Sequence, residues 1–189
     1  MEQTSMLSTG IISFKSAFVD QVEALSHEDT RLCYHCHKCT AGCPVSAEMT
    51  YGPDRIIRMI HLGQKAAVLA SPDIWVCLAC ETCGARCPND IDIAHVMDAL
   101  RQLARAEGVR PGQPRVALFH DIFVNVIRLT GQMHEASLLG VYKLLSGDLF
   151  SDLIVGGQLI LKGKIPILPK VSRPGDMLKR VFDKSRQKH

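Results

Sequence analysis

All eight cysteines of this 189-residue chain fall into two copies of one short motif. The two copies read Cys33-x-x-Cys36-x-x-Cys39-x-x-x-Cys43-Pro44 and Cys77-x-x-Cys80-x-x-Cys83-x-x-x-Cys87-Pro88. Each cysteine of the first copy lies 44 residues before its counterpart in the second. The sequence therefore contains an internal duplication, and the close grouping of thiols indicates that each copy binds metal.

This cysteine spacing is typical of proteins that hold two [4Fe-4S] clusters. In that pattern three ligands come from one motif, and the fourth cysteine, which precedes a proline, ligates the other cluster. The spacing thus predicts a first cluster held by Cys33, Cys36, Cys39 and Cys87. It predicts a second cluster held by Cys77, Cys80, Cys83 and Cys43. Each proline fixes its own backbone angle and favours extended geometry in the cysteine before it.

Zinc and disulfides are the alternatives to iron. Structural zinc sites usually combine two well-separated cysteine pairs, whereas here four cysteines lie within eleven residues, twice. Disulfide frameworks belong to small secreted domains, but the opening Met1-Glu2-Gln3-Thr4-Ser5 does not resemble a secretory signal. The sequence favours iron–sulfur clusters in the reducing cytoplasm, and a zinc-stabilised interaction module remains as an alternative.

Periodicity predicts an all-α fold. Apolar residues recur at helical spacing in residues 11–26, 53–62, 93–104 and 114–130, and no segment alternates like a half-buried strand. The apolar stretch from Leu149 to Leu161 is interrupted by polar residues and glycines and is too short to span a membrane. We therefore predict a two-cluster α-helical ferredoxin core in residues 1–109 and a helical extension with a basic tail in residues 110–189.

The tail concentrates positive charge. Residues 162–189 contain nine of the 22 Lys and Arg residues but two of the 19 Asp and Glu residues. The tail has no pattern of interleaved aromatic residues, so we predict a solvated or partner-docking segment and no nucleic-acid binding. The apolar stripes after Arg110 exceed what a two-cluster core can bury, which predicts that the region from Arg110 to Phe182 docks against other subunits.

The motifs and the residues around them resemble one family. The Pro53-Asp54 helix, the approach Asp73-Ile74-Trp75-Val76-Cys77 and the late stretch Leu161-Lys162-Gly163-Lys164-Ile165-Pro166 make the chain similar to the C subunit of heterodisulfide reductase, from about residue 25 to 183. The cysteine motifs alone also occur in the iron–sulfur subunits of succinate dehydrogenase, fumarate reductase and glycerol-3-phosphate dehydrogenase.

The resemblance implies a function. In that family this iron–sulfur subunit has an α-helical ferredoxin fold and passes electrons from a flavin-containing subunit to a cysteine-rich catalytic subunit. The catalytic subunit reduces the disulfide of coenzyme M and coenzyme B in methanogenesis, although related complexes use other sulfur compounds. Only the eight cysteines carry over to this chain, so it is expected to be an electron-transfer subunit without catalysis of its own. A free-standing two-cluster ferredoxin is the rival interpretation.

Overall fold

The computed structural model describes residues 17–147, 162 and 180–184. These residues divide into two compact units between Val109 and Arg110. Every regular element within them is helical, which confirms the predicted fold class. The helix expected over residues 11–26 is present as Ala17–Ser26, and residues 11–16 lie outside the described ranges. The stretch from Leu149 to Leu161 and most of the basic tail also lie outside them.

Seven α-helices make up the described part of the first unit. They are α1 (Ala17–Ser26), α2 (Lys38–Ala41), α3 (Pro53–His61), α4 (Lys65–Ala70), α5 (Asp73–Val76), α6 (Thr82–Ala85) and α7 (Ile93–Ala106), with 3₁₀ turns at Thr30–Leu32 and Ser46–Glu48. Helix α7 packs against α1, α4, α5 and α6. The residues Val96, Met97 and Leu100 on its apolar face are buried. Helix α7 is therefore the central helix against which the shorter helices pack.

Local sequence signals explain where helices α3 and α7 begin and end. Helix α3 begins with Pro53, whose missing N–H is no loss in the first turn of a helix. Helix α7 begins after Asp92, whose carboxylate accepts a hydrogen bond from the backbone N–H of Ala94 at 2.8 Å. Gly63 and Gly108 follow the two helices with φ of 68° and 65°, the left-handed geometry that commonly ends a helix.

The described part of the second unit is a helical hairpin of α8 (Pro114–Thr130) and α9 (Glu135–Ser146). A small core of Ile122, Val126 and Leu138 joins the two helices. Many apolar side chains remain outside this core: Leu129, Leu144 and Leu145 are 76%, 71% and 62% exposed. The structure thus confirms the helix predicted from Pro114 to Thr130 and leaves an apolar surface on the hairpin.

Residues 17–147, 162 and 180–184 contain no helix that combines the length and apolar composition needed to cross a membrane.

Candidate metal centres

The two cysteine motifs share one backbone conformation. Cys33 ends a 3₁₀ turn and Cys77 ends α5, and the N–H of each donates to a carbonyl oxygen at 3.1 Å. His37 and Glu81, which are 44 residues apart, have φ and ψ of 62° and 3°, and of 58° and 3°. Each precedes a four-residue helix, α2 or α6. The duplication in sequence is therefore a duplication of loop geometry.

Left-handed residues shape both loops. His35, His37, Ala79 and Glu81 have φ of 59°, 62°, 50° and 58°. Residues with a side chain rarely adopt this conformation, and those that do are often found at functional sites. In general, a left-handed residue beside a right-handed one turns successive backbone N–H groups toward one side, and the resulting concavity attracts anions, including iron–sulfur clusters. The repeated left-handed residues therefore suit loops that surround a negatively charged group.

Four thiols line the first cavity. Cys33, Cys36 and Cys39 come from the first motif, and Cys87 comes from the second. The remaining lining residues are His35, His37, Lys38, Asp54, Ile57, Ile91 and Ile93. The structure therefore brings together the four cysteines that the spacing assigned to the first cluster.

The other four thiols line a second cavity. Cys77, Cys80 and Cys83 come from the second motif, and Cys43 comes from the first. They are joined by Pro44, Val45, Met49, Pro53, Leu78, Thr82, Ile93, Ala94 and Met97. Ile93 lines both cavities, so a single apolar side chain is part of the wall between them. The ligand assignment itself remains a prediction, and this placement supports it.

The donor set suits an iron–sulfur cluster. All eight cysteines are free, and each set of four lines one cavity. In the described ranges, no three metal-ligating side chains converge on one point as the ligands of a single ion would. Soft thiolates around a largely apolar space match the ligand preference of iron–sulfur clusters.

Burial controls the protonation of the thiols. It raises the pKa of Cys39 and of Cys83 to about 11, because desolvation disfavours the thiolate. A hydrogen bond with the Thr82 hydroxyl instead lowers the pKa of the exposed Cys80. Metal binding requires thiolates, so cluster assembly must release protons from the buried cysteines.

A polar network borders the first cavity. The Asp54 carboxylate lies 2.7 Å from Nδ1 of His37 and accepts a hydrogen bond from the Thr40 hydroxyl. Burial acts to raise the pKa of Asp54, but the hydrogen bonds with Thr40 and His37 outweigh it and hold that pKa below its usual range. Thr40 directly follows Cys39, so the network fixes α2 against α3 beside a cysteine of the first cavity.

A buried carboxylate holds a loop beside the second cavity. Asp73 is fully buried and accepts hydrogen bonds from the backbone N–H groups of Thr50, Tyr51 and Gly52 at 2.8, 2.7 and 2.9 Å. The residues on either side of this loop, Met49 and Pro53, line the second cavity. Asp73 therefore positions part of the cavity wall through the backbone.

Helix α7 also holds the second motif. The Arg101 guanidinium donates hydrogen bonds to the backbone carbonyl oxygens of Ile74 and Cys77. Sequence reasoning did not identify the roles of Asp54, Asp73 or Arg101. A signal for Asp73 was present, because Asp29 lies 44 residues before it, the same interval that separates the cysteines.

Comparison with known proteins supports the cluster interpretation. Residues 32–92 match a family described as a 4Fe-4S dicluster domain. This segment contains both motifs, so the cofactors are two [4Fe-4S] clusters.

Longer matches come from subunits of heterodisulfide reductases. The chain is 30% identical over 95 residues to the C subunit of the H2:CoB-CoM heterodisulfide,ferredoxin reductase of Methanothermobacter marburgensis, covering 50% of this chain and 49% of that relative. It is 35% identical over 101 residues to the iron–sulfur C subunit of the CoB–CoM heterodisulfide reductase of Methanopyrus kandleri, covering 53% and 51%. The matches thus span about half the length of each relative. They confirm the predicted resemblance and an iron–sulfur electron-transfer role.

Proposed function

We propose that this chain relays electrons within a heterodisulfide reductase-type complex, from a flavin-containing subunit to a cysteine-rich catalytic subunit. The substrate of the complex would be a heterodisulfide, either that of coenzyme M and coenzyme B or a related disulfide. The observation that carries the proposal is the separation of the eight thiols into two neighbouring cavities with Ile93 in the wall of both. Two adjacent redox sites in one small unit suit a relay.

The chain's own residues have distinct tasks in this relay. A [4Fe-4S] cluster supplies a site that takes up and releases one electron. Cys33, Cys36, Cys39 and Cys87 would bind one cluster, and Cys77, Cys80, Cys83 and Cys43 the other. Apolar residues such as Ile57, Ile91 and Met97 exclude water from the cavities. The left-handed loops direct backbone N–H groups that stabilise negative charge.

The distribution of cysteines also supports a non-catalytic role. Each of the eight lines one of the two cavities, so the chain has no cysteine left for a catalytic cluster. The chemistry of the disulfide must then lie in a partner subunit. The thiol chemistry also fits a reducing compartment, and we place the relay in the cytoplasm.

The second unit would dock the partners. The hairpin exposes Leu129, Leu144 and Leu145, and apolar surface of this kind commonly marks a protein interface. We assign the docking role to the region from Arg110 to Phe182, of which residues 148–161 and 163–179 lie outside the described ranges. The basic tail belongs to this extension.

Truncation tests the relay function. A chain ended after Gly108 should retain about eight iron and eight sulfide, since all ligands precede that residue. It should no longer co-purify with flavoprotein and catalytic subunits from the native source without oxygen. A truncated chain that still joins such a complex and supports its full activity would show that docking lies elsewhere. If the complete chain purifies alone, it is a free-standing ferredoxin.

Cysteine substitution tests the crossed ligand sets. Cys43→Ala should damage the cluster bound by the second motif, and Cys87→Ala should damage the cluster bound by the first. Electron paramagnetic resonance of the reduced proteins would then show a different surviving signal in each variant. If each substitution instead removes the cluster of its own motif, the ligand assignment is wrong.

A further inference from the structure

A separate cavity lies beside the first motif. It has a volume of about 450 Å³ and is lined by Val19, Arg31, His35, Arg58, His61 and Leu62. These residues come from α1, the first 3₁₀ turn, the first motif loop and the end of α3. Small-molecule sites in proteins typically occupy about 300–1,000 Å³, so this cavity is large enough for a ligand. It shares His35 with the first cluster cavity.

The cavity carries positive charge that is only partly neutralised. The Arg31 guanidinium forms ion pairs with Asp20 and Glu23. Within residues 17–147, 162 and 180–184, Arg58 has no such acidic partner, and the lining of the cavity contains no Asp or Glu. The described lining therefore contains one guanidinium without an acidic partner and no acidic side chain.

Two imidazoles complete the polar side. The Nε2 of His61 lies 2.9 Å from the carbonyl oxygen of Thr30, and a carbonyl can only accept, so Nε2 carries the hydrogen. The His35 ring meets the His61 ring edge-on, with 5.6 Å between centroids.

The lining also contains two apolar side chains. Val19 is buried and Leu62 is 55% exposed. An occupant must therefore combine one negative charge with an apolar part. A phosphate, with nearly two negative charges at neutral pH, would need more than one free guanidinium. A carboxylate matches one guanidinium in charge and in bidentate geometry.

We infer that this cavity binds a small organic monocarboxylate with a short apolar chain, whose carboxylate pairs with Arg58. The apolar chain lies along Val19 and Leu62. Among the described residues no cysteine lines this cavity, so the inference does not depend on the electron route proposed above.

Calorimetric titration of the cluster-loaded chain with hexanoate tests the inference. We expect saturable binding of one hexanoate per chain, and weaker binding of hexanamide and of inorganic phosphate. Arg58→Gln should weaken hexanoate binding about tenfold to a hundredfold, because it removes a hydrogen-bonded charge pair. Arg55→Gln is the matched control. Arg55 is also exposed and lies on α3, but it does not line the cavity, so this variant should bind as the unmodified chain does.

A second variant tests the apolar side. Leu62→Ser should weaken hexanoate binding but leave the weaker binding of acetate unchanged, because acetate is too short to need the apolar wall. Equal iron and sulfide content in all variants would show that they fold. The inference is wrong if the unmodified chain shows no saturable hexanoate binding, if Arg58→Gln binds hexanoate as tightly as the control, or if phosphate binds more tightly than hexanoate.

Discussion

The buried carboxylate of Asp73 allows a quantitative test of how the loop beside the second cavity is held in place. One oxygen accepts from Thr50 N–H, and the other accepts from Tyr51 and Gly52 N–H. Asp73→Asn keeps the shape of the side chain but replaces one acceptor oxygen with a donor. At best the amide oxygen retains two hydrogen bonds, both now to a neutral acceptor, and the NH₂ group opposes the third N–H.

The expected loss of folding stability can be worked out from these hydrogen bonds. Hydrogen bonds to charged groups contribute about 1.5–3 kcal/mol and those to neutral groups about 0.5–1.5 kcal/mol. The lost bond and the two weakened ones therefore cost about 4 kcal/mol, and the easier burial of a neutral amide offsets about 1 kcal/mol. The net destabilisation of about 3 kcal/mol corresponds to a fall of roughly 10–20 °C in the melting temperature of a unit of this size.

Thermal unfolding of the oxygen-free, cluster-loaded chain, followed by circular dichroism at one heating rate, measures this fall. Asp29→Asn is the matched control, since Asp29 lies 44 residues earlier. It is exposed and its carboxylate accepts from Arg31 N–H at 3.1 Å, and Asn caps a helix about as well as Asp. A drop of less than about 4 °C for Asp73→Asn, or equal drops for both variants, would refute the reasoning.

Three further substitutions test other parts of the structure, and a fourth tests a pH dependence. Gly52→Ala should destabilise the first unit by about 2–4 kcal/mol in thermal unfolding, because Gly52 has φ of 82° and an added Cβ would lie 2.9 Å from a neighbouring side chain. Gly140→Ala, in open space within α9, should instead stabilise by up to about 1 kcal/mol. Arg101→Gln should change the midpoint potential of the second cluster more than that of the first cluster in a redox titration. The substitution removes the hydrogen bonds that Arg101 donates to two backbone carbonyl oxygens at the second motif. Hydrogen bonding with Glu28 raises the pKa of His95. The protonated His95 side chain therefore stabilises the fold fully below its pKa in the unfolded chain, about 6.5, and this stabilisation disappears as the pH rises through its pKa in the folded chain. His95→Gln should remove that pH dependence in unfolding experiments between about pH 5 and 8.

Sequence reasoning succeeded where a pattern extends over several turns. Helices α3, α7 and α8 are predictable because apolar residues recur at helical spacing between proline or aspartate starts and glycine ends. Helices α2, α5 and α6 have four residues each, which is too short for a period to be visible. Their formation depends on the cysteine loops and on packing against longer helices.

The candidate site was also only partly predictable. The cysteine spacing indicates the two groups of thiols, since spacing is a local property of the chain. The left-handed conformations of His35, His37, Ala79 and Glu81 could not be predicted, because residues with side chains rarely adopt them. The roles of Asp73 and Arg101 depend on contacts more than 20 residues apart in sequence, which periodicity does not reveal.

The duplication explains why two centres exist, and the residues outside the cysteines explain why they need not be equivalent. Both loops have the same backbone, yet His35 and Lys38 correspond to Ala79 and Thr82. The first cavity is accordingly lined by His35, His37, Lys38 and Asp54, whereas the described residues that line the second include no charged side chain. Charge, hydrogen bonding and solvent exposure set the potential of an iron–sulfur cluster. The repeated thiols therefore supply the same ligand geometry twice, while the side chains that differ between the repeats determine how the two potentials diverge.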